Sequence, residues 1–116
     1  MKQDKEENNL LFLEHVIEAL EKILKYTEGL DEDTFYVNEM ARDAVIRQFE
    51  IAGEAANKLT KNFREKYPEA PWNKVITMRN ILIHGYADVD IGIVWDTAKN
   101  DAPVLLEQIK IIYSRS

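Results

Sequence analysis

Between Met78 and Tyr86 the chain sets down an always-charged guanidinium (Arg79), an amide (Asn80), an imidazole (His84) and a phenol (Tyr86). It is the densest run of chemically capable side chains in the sequence, and it holds one of only 2 histidines. An imidazole with a pKa of about 6.5 moves protons at neutral pH, and a permanent cation holds phosphate. At about 100° per residue, positions 80 and 84 of a regular helix lie ~40° apart, whereas positions 79 and 84 lie ~140° apart. Arg79 and His84 therefore do not share a face of a regular helix, and three arrangements would bring them together. The helix frays at Gly85, the long arginine wraps round, or two copies of the helix face each other. Taken on spacing alone, the segment reads as a helix C-terminus with its favourable histidine and stopping glycine. By the same measure Tyr86 alone reads as a tyrosine packed at a helix junction with its hydroxyl at the surface.

Other groups have weaker claims to chemistry. His15 stands between Glu14 and Glu18 inside a helical pattern and reads as a surface residue. Glu50 and Glu54 are one helical turn apart with Arg47 close by, a pattern of structural ion pairs. No Glu-x-x-His accompanies them to make a helical metal site. The chain has no cysteine, so disulfides, thiolate nucleophiles and cysteine-held zinc are excluded, and no bound metal is expected. No Gly-rich phosphate loop, nucleophile elbow or catalytic triad is present.

The elements that must carry these groups read as all-α. Gly and Pro number only 4 and 3, and no alternating stretch of strand length occurs. Leu10, Leu13, Val16, Ile17, Leu20, Ile23 and Leu24 fall on one face of a first helix, which Gly29 stops. An acidic loop, Leu30 to Tyr36, follows. Asn38 then caps a second helix with the stripe Ala41, Ala44, Val45, Phe49, Ala52, Ala56 and Leu59. The alanines and Gly53 on that stripe invite close approach by another helix, of this chain or of a second copy. Tyr67 to Pro71 is a break, and Pro71 suits the first turn of a third helix through Trp72, Val75, Ile76, Arg79 and Leu82. Asp88 or Asp90 caps a fourth, with Val89 and Val94 as a staple in the second case. Pro103 makes the final stretch either two helices or one kinked helix. The whole predicts an antiparallel bundle of four to five helices.

At 116 residues the chain has room for one domain and one core. It carries 15 basic and 21 acidic side chains, a net charge of −6, which on its face argues against a nucleic-acid binder. The charge is not evenly spread. Residues 1–57 hold 6 basic and 14 acidic groups, whereas Lys58 to Arg79 hold 6 and 2. That basic block reads either as a solvated helix end or as a phosphate-attracting rim leading into His84. No signal peptide or membrane span is legible, so a cytoplasmic protein is expected.

The motif Arg79-Asn80 to His84-Gly85-Tyr86 resembles the R-x4-H-x-Y signature of HepT-like proteins, a branch of the HEPN helical-bundle superfamily. Asp43 to Ala55 resembles that family's second-helix pattern, and Pro71-Trp72 with Met78-Arg79-Asn80 its third. Val89-Asp90, Val94-Trp95 and Pro103 are similar to its closing stretch, so the resemblance runs from Leu10 to Ile112. It implies a single HEPN-like domain over residues 1–116, all-α and homodimeric. It also implies a metal-independent endoribonuclease, the toxin of a toxin–antitoxin pair, with a composite Arg79/His84 active site at the dimer interface. On such a site Asn80, one turn before His84, is placed to orient the imidazole or the phosphate, and the basic block supplies Lys58, Lys61 and Lys74 as a candidate RNA-binding rim. The implied partners are RNA, with no DNA expected, and an MntA-type minimal nucleotidyltransferase. That enzyme neutralises the toxin by transferring AMP from ATP to Tyr86, so the chain needs no cofactor of its own. The alternative is a catalytically silent HEPN bundle that binds nucleotide or docks the nucleotidyltransferase.

Overall fold

The computed structural model describes residues 2–84 and 89–116, with the side chains of residues 8–79 and 89–116. Among these residues every regular element is helical. In chain order they are α1 (Lys2–Thr27), α2 (Glu32–Val37), α3 (Glu39–Lys58), α4 (Lys61–Lys66), α5 (Trp72–His84), α6 (Ile91–Asp96), a π-helical turn (Thr97–Asp101) and α7 (Ala102–Arg115). The expectations that fall on Gly85, Tyr86 and Asp88 lie outside the described residues.

Helix α1 is the central rod. Its Leu13, Val16, Leu20 and Ile23 are fully buried, packed against α3 on one side and α7 on another. Leu10, at the start of the expected stripe, is instead 37% exposed. Val45, Phe49, Ala52 and Ala56 of α3 and Ile109 and Ile112 of α7 complete the centre of the core. Helix α5 joins through α3, its main packing partner. No described helix is long and apolar enough to cross a membrane.

Three expected boundaries hold for the reasons given. Gly29 ends α1 with a φ of +78°, a conformation that costs glycine little and other residues much. Asn38 caps α3 by accepting from the Ala41 N–H at 3.0 Å. Asp90, the second of the two capping candidates, accepts from the Ile93 N–H at 3.3 Å and opens α6. Val94 beneath it is buried, and Val89 packs against the core.

The expected acidic loop is largely helix α2. Asp31 accepts from the Thr34 N–H at 2.8 Å, and the Asp31 N–H donates to Thr34 Oγ1 at 2.8 Å, closing a reciprocal capping box. The Thr34 N–H and hydroxyl hold the Asp31 carboxyl below its ordinary pKa. Phe35, fully buried, fastens this short helix against the Trp95 ring of α6 at 5.2 Å.

Pro103 leaves the last stretch neither broken nor simply kinked. The chain passes through the π turn, whose end is marked by the Ala102 N–H bonding Thr97 O, and Pro103 then falls in the first turn of α7. There its missing N–H costs no intrahelical bond.

Asn9 is a buried polar residue that periodicity does not reveal. Only 1% exposed, it donates through Nδ2 to Thr60 Oγ1 at 3.0 Å and accepts from the Thr60 N–H at 2.9 Å. Thr60 in turn caps α4 by accepting from the Phe63 N–H at 3.2 Å. One amide thus ties α1 to the start of the basic block. Asn9→Ala strands the Thr60 N–H and should cost about 1–3 kcal/mol, read as a lower urea midpoint; an unchanged midpoint would show the clamp to be idle.

Candidate active site

Helix α5 is unbroken α-helix from Trp72 to His84. Its anchor is Trp72, 5% exposed, whose Nε1–H donates to the Tyr67 carbonyl at 2.9 Å across the expected break. The Phe63 ring of α4 packs on Tyr67 at 5.1 Å and on Trp72 at 6.4 Å, which fixes α4 against the start of α5.

About two turns on, Arg79 is half-buried and crosses α3 at Gly53. A Cβ placed on residue 53 would run into the Cβ of Arg79, reach its Cγ at 2.8 Å and the Val75 carbonyl at 3.0 Å. The small-residue stripe therefore serves a contact inside the chain, between α3 and the helix that carries the motif. Because α5 stays regular, positions 79 and 84 keep their ~140° separation, and positions 80 and 84 share a face. The backbone of Asn80 and His84 lies on α5; their side chains, and Tyr86 altogether, lie outside the described part of the chain.

The expected basic rim divides. Lys58 stands over the Phe12 ring at 5.6 Å and pairs with Glu54 at 3.8 Å, on the α1 side of α3. Lys61 pairs with Glu65 at 3.9 Å and Lys74 with Asp101 at 2.9 Å. Lys61 and Lys74 line one open cleft between α4 and α5, together with Arg64, a residue of the basic block that the rim did not include. Such exposed pairs contribute little stability, about 0–1 kcal/mol each, and exchange readily for a ligand's anions.

Glu50 and Glu54 are engaged as structural pairs, Glu50 with Arg47 at 3.3 Å and Glu54 with Lys58. His15 is partly covered rather than a plain surface residue, its ring edge-on to Phe12 at 6.3 Å and 65°. Among the described residues no three His, Asp or Glu gather into a metal-binding group. Between α5, the π turn and α7 lies a cavity of about 310 Å3 walled by Leu20, Phe49, Val75, Met78 and Leu105. It leaves α5 dependent on α3 for its seat.

An all-helical protein whose Arg-Asn and His are spaced along one helix is the class that fold and site define. Comparison with known proteins makes it specific. Residues 16–112 match the family described as HepT-like, Ribonuclease HepT-like. "Putative RNase MJ1380" of Methanocaldococcus jannaschii is 38% identical over 101 residues, 87% of this chain and 93% of that protein. "Probable ribonuclease HepT" of Thermococcus cleftensis is 38% identical over 94 residues, 81% and 86% of the two chains. A longer M. jannaschii protein, "Gamma-glutamylcyclotransferase and putative RNase MJ0434", is 44% identical over 99 residues. That match covers 85% of this chain but only 45% of the relative. No solved structure matches significantly. The chain belongs to the HepT-like ribonuclease family.

The Gly53 contact decides the sign of a simple substitution. On an exposed helix Gly→Ala gains roughly 0.5–1 kcal/mol of propensity, whereas overpacking a tight crossing costs about 1–3 kcal/mol. Gly53→Ala should therefore lower the thermal midpoint; a raised midpoint would mean that α3 and α5 are not in close contact at Arg79.

Proposed function

We propose that this chain is a metal-independent endoribonuclease, the toxin of a toxin–antitoxin pair, acting in the cytoplasm as a homodimer with two copies each of Arg79 and His84 in one cleft. The observation that carries the reading is the family match, which spans residues 16–112 and so includes the whole motif. The names of the relatives, each given as a ribonuclease in whole or in part, support the reaction class.

The chemistry needs no metal if the ribose 2′-oxygen is the nucleophile. The 2′-oxygen attacks the adjacent phosphorus and loses its proton to a base. The bond from phosphorus to the 5′-oxygen breaks, and that oxygen takes a proton from an acid. The products are a 2′,3′-cyclic phosphate and a free 5′-hydroxyl. One imidazole is poorly suited to act as base and acid in the same turnover, and a two-fold axis supplies the second. The ~140° between positions 79 and 84 on an unbroken α5 supports the same arrangement, since the arginine of one copy can serve the histidine of the other. The guanidinium stabilises the extra charge on the phosphoryl oxygens, and Asn80, on the face of His84, orients the imidazole or the phosphate.

Control acts through Tyr86. Its phenolic oxygen attacks the α-phosphorus of ATP in the partner nucleotidyltransferase, pyrophosphate leaves, and the phenol proton passes to solvent. The AMP then places negative charge and bulk at the mouth of an anion site, which repels and occludes RNA.

His84→Ala and Arg79→Ala should each abolish cleavage of RNA by purified protein, and growth toxicity, while the dimer persists in solution. Undiminished cleavage by His84→Ala would overturn the assignment. Incubation with the nucleotidyltransferase and ATP should add one AMP mass to the peptide containing Tyr86, and an unmodified peptide would remove that residue's role.

A further inference from the structure

We infer that the cleft between α4 and the start of α5 is a second RNA-backbone site, which holds the single strand some nucleotides away from the scissile bond. The inference rests on the ribonuclease reading and adds a site to it. The cleft is open, about 600 Å3, and Lys61, Arg64 and Lys74 line it against one carboxylate, Glu65. This local excess of cations stands on a chain whose net charge is −6. Its floor is rigid, because Trp72 is buried, bonded to the Tyr67 carbonyl and packed on Phe63. Two of the three cations are held only by exposed pairs, Lys61 with Glu65 and Lys74 with Asp101, which phosphate oxygens can replace.

Register favours RNA over an acidic protein as the occupant. Asn73, exposed at the cleft, is seven residues before position 80 and eleven before position 84. At about 100° per residue both offsets bring these positions within ~20° of residue 73, so Asn73 of the cleft shares one face of α5 with positions 80 and 84 of the motif, while Arg79 lies ~120° round the helix. The distance along the axis from 73 to 84 is ~16 Å, room for about five stacked nucleotides at ~3.4 Å each. A strand lying along that face meets the motif at one end and the cations at the other. Lysine, arginine and an exposed amide contact phosphate and sugar without reading base sequence, so the site adds affinity and direction rather than specificity.

The test uses a short fluorescein-labelled RNA with 2′-O-methyl groups throughout, which lacks the nucleophile, titrated by fluorescence anisotropy at several salt concentrations. The Lys61→Gln/Arg64→Gln double variant should bind about tenfold more weakly, and its log–log salt slope should fall by ~1.4, about 0.7 for each phosphate that is no longer neutralised. Asn73→Asp, which removes no packing, should also weaken binding. Lys110→Gln, which changes the charge on α7 by the same single unit as Asn73→Asp, should bind as the wild type does. Wild-type affinity and slope in the double variant would overturn the inference. So would unchanged RNA binding together with lost binding of a poly-glutamate peptide, which would make the cleft a protein-docking surface. Cleavage of unmethylated RNA separates the two readings. Wild-type protein that binds the probe through the cleft but cleaves nothing keeps the cleft and loses the nuclease. Cleavage with a cleft that does not matter does the reverse.

Discussion

The seat of α5 on α3 at Gly53 is the constraint from which the arrangement of the motif follows. The Cβ of Arg79 occupies the space that a side chain at 53 would need. On the other flank of α5 the structure has a cavity rather than a packed helix. The position of the guanidinium is thus set by backbone approach across one helix pair, and the rest of the bundle acts by holding α3 still. Helix α1 does this directly through Leu13, Val16, Leu20 and Ile23, and α7 does it at one remove by closing the far side of α1.

The short elements have a different task, which is to fix the ends of the long ones. Six-residue helices are too short to persist on propensity, so α2 and α4 are each held by a cap and one large buried ring. In α2 these are Asp31 and Phe35, and in α4 they are Thr60 and Phe63. Because Thr60 is itself gripped by Asn9 from α1, the loop that launches the basic block is tied to the centre of the fold. The cations of α4 stand against the start of α5 for that reason, and the Phe63, Tyr67 and Trp72 cluster sets how far they stand from it.

How much of this was legible in the sequence follows from the same division. The long helices announce themselves because their apolar stripes are continuous and their ends use residues with strong local preferences, Gly29, Asn38 and Asp90. The close crossing at Gly53 was legible as a stripe of small residues, though not which helix it would meet. Helix α2 was hidden in an acidic loop because its stability lies in a reciprocal cap and in Phe35 meeting Trp95, sixty residues away in sequence. The π turn was hidden because periodicity registers a proline as an interruption and carries no sign of the one-residue slip that absorbs it. The Arg79, Asn80, His84 and Tyr86 constellation was visible as chemistry and as a family motif. Its spacing did not say whether or how the groups meet, and a regular α5 keeps positions 79 and 84 ~140° apart around one helix.

The charge of the chain shows why totals and linear blocks are both poor guides to electrostatics. A net −6 speaks against nucleic acid, and a linear count from Lys58 to Arg79 speaks for it. Neither knows which cations share a surface. Folding sends Lys58 to the α1 side, over Phe12, and collects Lys61, Arg64 and Lys74 around one cleft. At physiological salt the Debye length is about 8 Å, so a phosphate in that cleft responds to those three groups and to Glu65 far more than to the acidic N-terminal half. Acidic surface elsewhere would then bias a polyanion toward the face where these cations gather. On the proposed reading, the acidic surface that would repel RNA elsewhere sharpens where RNA would lie, and a modest overall affinity is compatible with a defined path along α5.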